Sequence, residues 1–191
     1  MTFPDILLYD FSDDKHSLDE IADLLGKQRY DYCRRMKSEK AGLASAFAFL
    51  LLRYGLKKYF GIYDIPELTF GEHGKPFLKE YPGLYFSMSH ARSRAVCTIS
   101  EVPIGVDIQD IRPLSASAAA KFLTDTESGQ ISAEDSTALC KAWSIKESYS
   151  KMTGKGFSEG FTNIDTGKLI RSGTASVTEK DGYIISISMQ E

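Results

Sequence analysis

Apolar side chains recur along this chain with two different periods, and the changes of period mark out its elements. Ala138, Ala142, Ile145, Tyr149 and Met152 follow one another at intervals of four and three, which predicts a helix whose apolar stripe meets a core. A longer helix is predicted upstream, where Ser38 has the chemistry of an N-cap, Phe49, Leu52 and Leu56 follow, and Gly61 after Tyr59 supplies the stop. Its most apolar part, residues 41–52, is about a dozen residues long, too short to cross a bilayer, and so reads as buried helix. Alternation with period two predicts strands over 6–9, 84–88, 95–99, 104–109, 169–177 and 183–189. Residues 71–76 read as a polar turn, Ser89-His90-Ala91-Arg92 as a bend between the second and third strands, and Asp181-Gly182 as the turn of a terminal hairpin. Ser17 with Glu20 has capping-box spacing and predicts a helix to about Gly26. Ser115, Thr124 with Glu127, and Ser132 read as further caps, the last for the helix carrying Trp143.

Each half thus supplies a long helix followed by strands, which predicts an α+β fold of two similar lobes, residues 1–102 and 103–191, with Pro103 at the boundary and a site between them. With 191 residues, 42% of them hydrophobic, the chain has the apolar content for one large core or two small ones. Its net charge of -3 argues against general nucleic-acid binding, so any acidic partner must be met locally, for example where Arg34, Arg35, Lys37 and Lys40 crowd together. Cys33, Cys97 and Cys140 are odd in number and lack metal-ligand spacing, which fits a reducing compartment. The N-terminus does not resemble a signal peptide, so the expectation is a cytoplasmic protein without membrane attachment.

The candidate chemistry lies on the polar face of the second long helix. Trp143, Glu147 and Lys151 stand one turn apart there, which predicts an exposed indole beside a carboxylate and an ammonium. Glu147 and Lys151 alone would be a solvated ion pair worth a few tenths of a kcal/mol. The strand 104–109 adds Asp107 and Gln109 on one face, and Asp107 and Glu147 together form a pair of hard oxygen ligands. Mg²⁺ takes one or two such carboxylates plus waters and phosphate oxygens, so a diphosphate substrate is implied. Lys75 between Gly74 and Pro76, Lys146, Lys151, and Lys155 between two glycines are within the repertoire of phosphate contacts, and His90 among Ser87, Ser89 and Arg92 is a candidate anion contact.

In order, Gly74-Lys75-Pro76, Phe86-Ser87-Met88-Ser89-His90, Ile104-Gly105-Val106-Asp107-Ile108, and Trp143-Ser144-Ile145-Lys146-Glu147-Ser148 with Lys151 and Gly154-Lys155-Gly156 closely resemble the 4'-phosphopantetheinyl transferases of the larger Sfp-like type. The resemblance runs from Cys33 to Gly156 and fades beyond Phe157. It implies two α+β lobes related by a pseudo-twofold axis, acting as a monomer. It also implies transfer of 4'-phosphopantetheine from coenzyme A to a serine of an apo acyl or peptidyl carrier protein, with Mg²⁺ and release of adenosine 3',5'-bisphosphate. Asp107 and Glu147 would then hold the metal, Glu147 would take the serine proton, and Lys151 would stabilise the diphosphate. Lys75, Ser89 and His90 would hold the adenosine 3'-phosphate end, with Lys155 adding to the phosphate contacts.

Two positions depart from the family pattern. Gln109 stands where many relatives carry a third acidic metal ligand, so its neutral amide or a water would complete the coordination. Ala44 stands where an arginine is common, while Ser45 keeps a hydroxyl, which leaves that phosphate grip to Arg34, Lys37 or Lys40. Gln109 also raises the alternative of a catalytically impaired module that binds coenzyme A or a carrier protein. An unrelated Mg²⁺-dependent phosphodiesterase acting on diphosphates is a further alternative, for which paired-metal and nucleophile motifs are lacking.

Overall fold

The fold is organised by two long helices, each laid across an antiparallel sheet. In the computed structural model, which describes residues 2–191, the order begins with β1 (Leu7–Asp10), α1 (Ala22–Arg34), α2 (Glu39–Phe60), β2 (Leu68–Phe70), β3 (Pro76–Leu78), β4 (Tyr85–Ala91), β5 (Arg94–Ser100) and β6 (Ile104–Asp110). It continues with the single turns α3 (Ala116–Ala119) and α4 (Asp125–Ser128), then α5 (Ser136–Thr153), two 3-10 turns (Gly156–Glu159 and Phe161–Asn163), α6 (Thr166–Arg171), β7 (Ala175–Lys180) and β8 (Tyr183–Met189). One sheet has the order β1-β5-β4, another β6-β8-β7, and β2 pairs with β3 as a separate hairpin, all antiparallel. The class is α+β, as the patterning predicts. Among the described residues no helix is long and apolar enough to cross a membrane.

Local chemistry sets the helix ends. The Ser38 hydroxyl accepts from the Ala41 amide at the start of α2, and Gly61 at φ 66° ends it, its amide and that of Ile62 closing back on Lys57 and Leu56. Phe49, Leu52 and Leu56 are buried in one cluster with Phe86, Ala95, Cys97 and Ile99 of β4 and β5. On the other side, α5 lies against β6 and β8, and its contact is made of small residues. Ser144 and Ser148 pair with Ser186 and Ser188 at 2.8 Å each. A Cβ on Gly105 would stand 1.9 Å from the Ser148 carbonyl oxygen and 2.5 Å from the Met152 amide nitrogen. The sheets meet where β4 and β6 run side by side, and there the Val106 amide donates to Ser87 Oγ at 2.9 Å. Val96 of one sheet shares a buried cluster with Val106, Ile108 and Ile185 of the other.

Several expectations are corrected. Ser89 and His90 are not in a bend: they lie inside β4, paired with Val96 and Ala95, and the turn falls at Arg92, whose φ is 35°. The cap of α5 is Asp135, not Ser132; its carboxylate accepts from the Ala138 amide at 2.9 Å. Residues 169–171 are helical instead of extended, because Asp165 caps α6 through the Lys168 amide. At Gly26 (φ 71°, ψ 161°) the first helix breaks as expected, then resumes to Arg34, a segment the apolar pattern did not reveal.

The close approach at Gly105 gives a stability prediction. Gly105→Ala is expected to cost about 3 kcal/mol or more in denaturant unfolding, because the added methyl meets backbone, which cannot rotate away. A midpoint equal to wild type would show that β6 and α5 are free to separate.

Candidate active site

Strand β6 delivers Asp107 into a buried position between β4 and α5. Its Oδ1 accepts from Ser89 Oγ at 2.9 Å and from Lys151 Nζ at 2.7 Å, and Lys151 also donates to Ser89 Oγ (2.8 Å) and to the Val106 carbonyl (3.1 Å). Three elements are thereby tied at one carboxylate oxygen. The other oxygen, Oδ2, is buried and has no hydrogen-bond partner among the described residues. A buried carboxylate oxygen with no donor is costly unless a cation meets it.

Glu147 lies one turn before Lys151 on α5. Burial, followed by the negative charge of Asp107, raises its pKa above the usual carboxylate value, and Lys151 opposes the rise only in part. Glu147 and Lys151 line a cleft of about 260 Å³ with Lys75, Ser87, Ser150 and Phe161. Lys75 reaches it from the β2–β3 hairpin, donates to the Met152 carbonyl at 2.7 Å, and packs its stem against Gly154 at the end of α5. Burial lowers its pKa to about 8.

His90, next to Ser89 on β4, has its pKa lowered first by burial and then by the positive charges of Lys151 and Arg29, with Asp107 acting against them. Arg29 is the residue that sequence reasoning missed. It is buried, donates through Nη2 to Ser45 Oγ at 2.6 Å and to the Ser45 carbonyl at 2.8 Å, and stacks over Tyr32 and Phe49. Its Nε has no partner among the described residues. Leu25, Arg29 and Cys33 are the buried residues of α1, so an arginine at a core position of that helix was the available signal. Of the basic residues proposed for this role, Arg34 pairs with Asp19 at 3.1 Å and Lys37 and Lys40 are exposed.

The structure thus brings Asp107, Glu147, Lys151, Ser89, His90 and Lys75 together. It places three other candidates differently. Lys146 is fully buried, donating to Glu127 (2.6 Å), the Phe122 carbonyl (2.7 Å) and the Phe161 carbonyl (3.0 Å), and so cannot reach a phosphate. Lys155 is exposed beyond the C-cap Gly154. Gln109 donates through its amide to the Asp110 carbonyl at 3.1 Å and lines a neighbouring pocket of about 500 Å³ with Trp143, Phe122 and Phe161. Trp143 is not an exposed indole: it is partly buried, edge-on to Phe122 (5.2 Å) and Phe161 (5.3 Å).

Among the described residues no group of three or more His, Cys, Asp or Glu side chains could hold a metal ion. The donor set at the cleft is two carboxylates, of which one oxygen is buried and unpartnered. That set fits a hard cation of the Mg²⁺ kind, which completes its shell with water and substrate oxygens.

A family model described as the 4'-phosphopantetheinyl transferase superfamily matches residues 103–190, which include Asp107, Glu147 and Lys151. The chain is 28% identical over 171 residues to a 4'-phosphopantetheinyl transferase of Bacillus subtilis, covering 86% of this chain and 75% of that protein. It is 26% identical over 165 residues to the 4'-phosphopantetheinyl transferase Sfp of Bacillus subtilis strain 168, covering 83% and 73%. With the 4'-phosphopantetheinyl transferase gsp of Aneurinibacillus migulanus it shares 30% identity over 151 residues, covering 75% and 62%. These coverages carry the similarity into the half that holds Lys75, Ser89 and His90.

The lowered pKa of Lys75 predicts a pH effect with a definite sign. The folded chain binds this proton less tightly than the unfolded chain, whose lysine titrates near 10.5. The cost of burying the ammonium is therefore fully present below about pH 8 and fades as pH rises toward 10.5. Lys75→Met is expected to melt above wild type at pH 7, with the gap narrowing as pH is raised toward 10. A gap independent of pH would contradict the burial.

Proposed function

We propose, from the match of residues 103–190 to the 4'-phosphopantetheinyl transferase superfamily and the likeness of most of the chain to the Bacillus enzymes, that this chain is an enzyme of that kind and transfers 4'-phosphopantetheine from coenzyme A to a serine of an apo acyl or peptidyl carrier protein. The observation that carries the reading is the Asp107 carboxylate, tied to Ser89 and Lys151 through one oxygen and buried without a partner among the described residues at the other, beside a Glu147 of raised pKa.

In this reading Asp107 and Glu147 hold Mg²⁺, which when bound supplies charge neutralisation at the diphosphate of coenzyme A. Gln109, whose amide is turned to its own strand, is supported at most as an outer neighbour of that shell. Glu147 takes the proton of the carrier serine as its oxygen attacks the phosphorus bearing the pantetheine arm. The elevated pKa makes its carboxylate a better acceptor for that proton. Lys151 offsets the charge that grows on the bridging oxygen as the bond to it breaks and adenosine 3',5'-bisphosphate departs. Arg29, His90 and Lys75 form the cationic end for the adenosine 3'-phosphate. A dianion beside them would raise the pKa of His90 and Lys75 back toward their usual values, so binding and protonation support each other. The halves 1–102 and 103–191 then act as two lobes, the first supplying the nucleotide end and the second the metal end.

The test is incubation of the full chain with coenzyme A, Mg²⁺ and an apo acyl carrier protein, read by intact mass. The expected result is gain of one phosphopantetheine group per carrier, with Asp107→Ala and Glu147→Ala each at least about 10²-fold slower while remaining folded. Coenzyme A binding without any mass gain would favour the non-catalytic module. Near-normal rates in either variant would displace the proposed metal pair.

A further inference from the structure

The polar group that the proposed chemistry leaves unused is the buried Lys146, one residue before Glu147. An ammonium in a core is costly to desolvate, and a methionine of similar length would avoid that cost. Its three bonds run to three separate places: the Glu127 carboxylate on α4, the Phe122 carbonyl after α3, and the Phe161 carbonyl in the second 3-10 turn. Glu127 extends the tie, accepting from the Thr124 amide through Oε2 and from both the amide and hydroxyl of Thr166 through Oε1. Burial works to raise the Glu127 pKa, but the bonds from Lys146, Thr124 and Thr166 together outweigh it, so this carboxyl stays ionised.

The two carbonyls that Lys146 holds belong to the two rings that clasp Trp143. These rings and the indole form the wall of the 500 Å³ pocket that also contains Gln109, Arg112 and Lys121, and Phe161 lines the 260 Å³ cleft on its other side. The aromatic wall is therefore a partition between the cleft with Glu147 and its neighbour, fixed from beneath by one ammonium.

We propose that Lys146 is a positioning residue for the protein substrate: by holding the Phe122 and Phe161 carbonyls it sets the Phe122–Trp143–Phe161 partition along which the carrier's serine segment approaches Glu147. This inference rests on the transferase reading. It separates the ion pair, which stabilises, from the two carbonyl bonds, which position. Glu127→Gln removes the ion pair and keeps Lys146 bonded to both carbonyls. Glu127→Gln with Lys146→Met removes the carbonyl bonds as well and leaves no unpaired charge.

The experiment measures, for wild type and both variants, steady-state transfer to an apo acyl carrier protein at varied carrier and varied coenzyme A, together with emission and acrylamide quenching of Trp143, the single tryptophan of the chain. The double variant is expected to raise KM for the carrier by about tenfold with KM for coenzyme A nearly unchanged, and to make Trp143 redder and more quenchable; Glu127→Gln is expected to lower Tm without either change. Equal behaviour of the two variants, or an unchanged Trp143 in the double variant, would overturn the proposal. Should the double variant not fold, Phe122→Leu, whose ring lines the neighbouring pocket and not the cleft with Glu147, disturbs the partition without touching the buried charge. The same split between carrier and coenzyme A is expected of it, and no effect on carrier KM would overturn the proposal. Absence of transfer by wild type would instead overturn the transferase reading and with it the carrier role of Lys146, leaving Trp143 fluorescence to decide whether Lys146 holds the wall.

Discussion

Everything at the site depends on how closely β6 can lie against α5. Backbone meets backbone at Gly105, with no room for a methyl between the strand and the Ser148 carbonyl. That approach brings Asp107, two residues along the strand, within 2.7 Å of a lysine in the last turn of the helix. Hydroxyls complete the contact, since Ser144 and Ser148 are short enough to sit beneath β8 and polar enough to bond its serines. Larger apolar residues at these positions would bury more area but hold the helix farther out. The side of the helix toward the sheet is consequently set by size as much as by hydrophobicity, while Leu139, Ala142, Trp143 and Tyr149 pack with Phe122, Phe161 and Ile164.

That composition explains what was legible in the sequence and what was not. The apolar repeat of α2, its serine cap and its glycine stop follow ordinary helix chemistry and were read nearly to the residue. So were β5, β6 and β8. Ser89 and His90 looked like a bend because short polar residues usually mark one; in fact both are strand residues, and the Ser89 hydroxyl meets a polar site where Asp107 accepts it. Trp143 and Lys146 were misread from helical geometry alone. A polar face was taken to mean solvent, whereas α3, α4 and the two 3-10 turns cover it, and their weak periodicity gave no warning. Arg29 escaped because its segment has no apolar stripe of its own and is buried through ring stacking and two bonds to Ser45.

The charges of the site divide along the same geometry. Three basic groups, Lys75 of the β2–β3 hairpin, Arg29 of α1 and His90 of β4, are disfavoured as cations by burial, as their lowered pKa values record. The carboxylates Asp107 and Glu147 repel one another, and Lys151 beside them offsets that repulsion only in part. Neither the basic groups nor the carboxylates are electrostatically complete alone. A ligand with a phosphate at one terminus and a diphosphate carrying a divalent cation at the other would relieve both, which is the physical content of the proposal that coenzyme A and Mg²⁺ bind here.

The central claim is that the unpartnered oxygen of Asp107 is a cation ligand, and metal binding tests it without reference to turnover. Manganese(II), a hard octahedral ion like Mg²⁺, can be counted by electron paramagnetic resonance in the presence of coenzyme A. The account predicts about one bound ion per wild-type chain and a marked loss in Asp107→Asn, which keeps the size and the acceptor toward Ser89 and Lys151 but presents an amide NH₂ in place of the free oxygen. Equal manganese binding by the two proteins would contradict it.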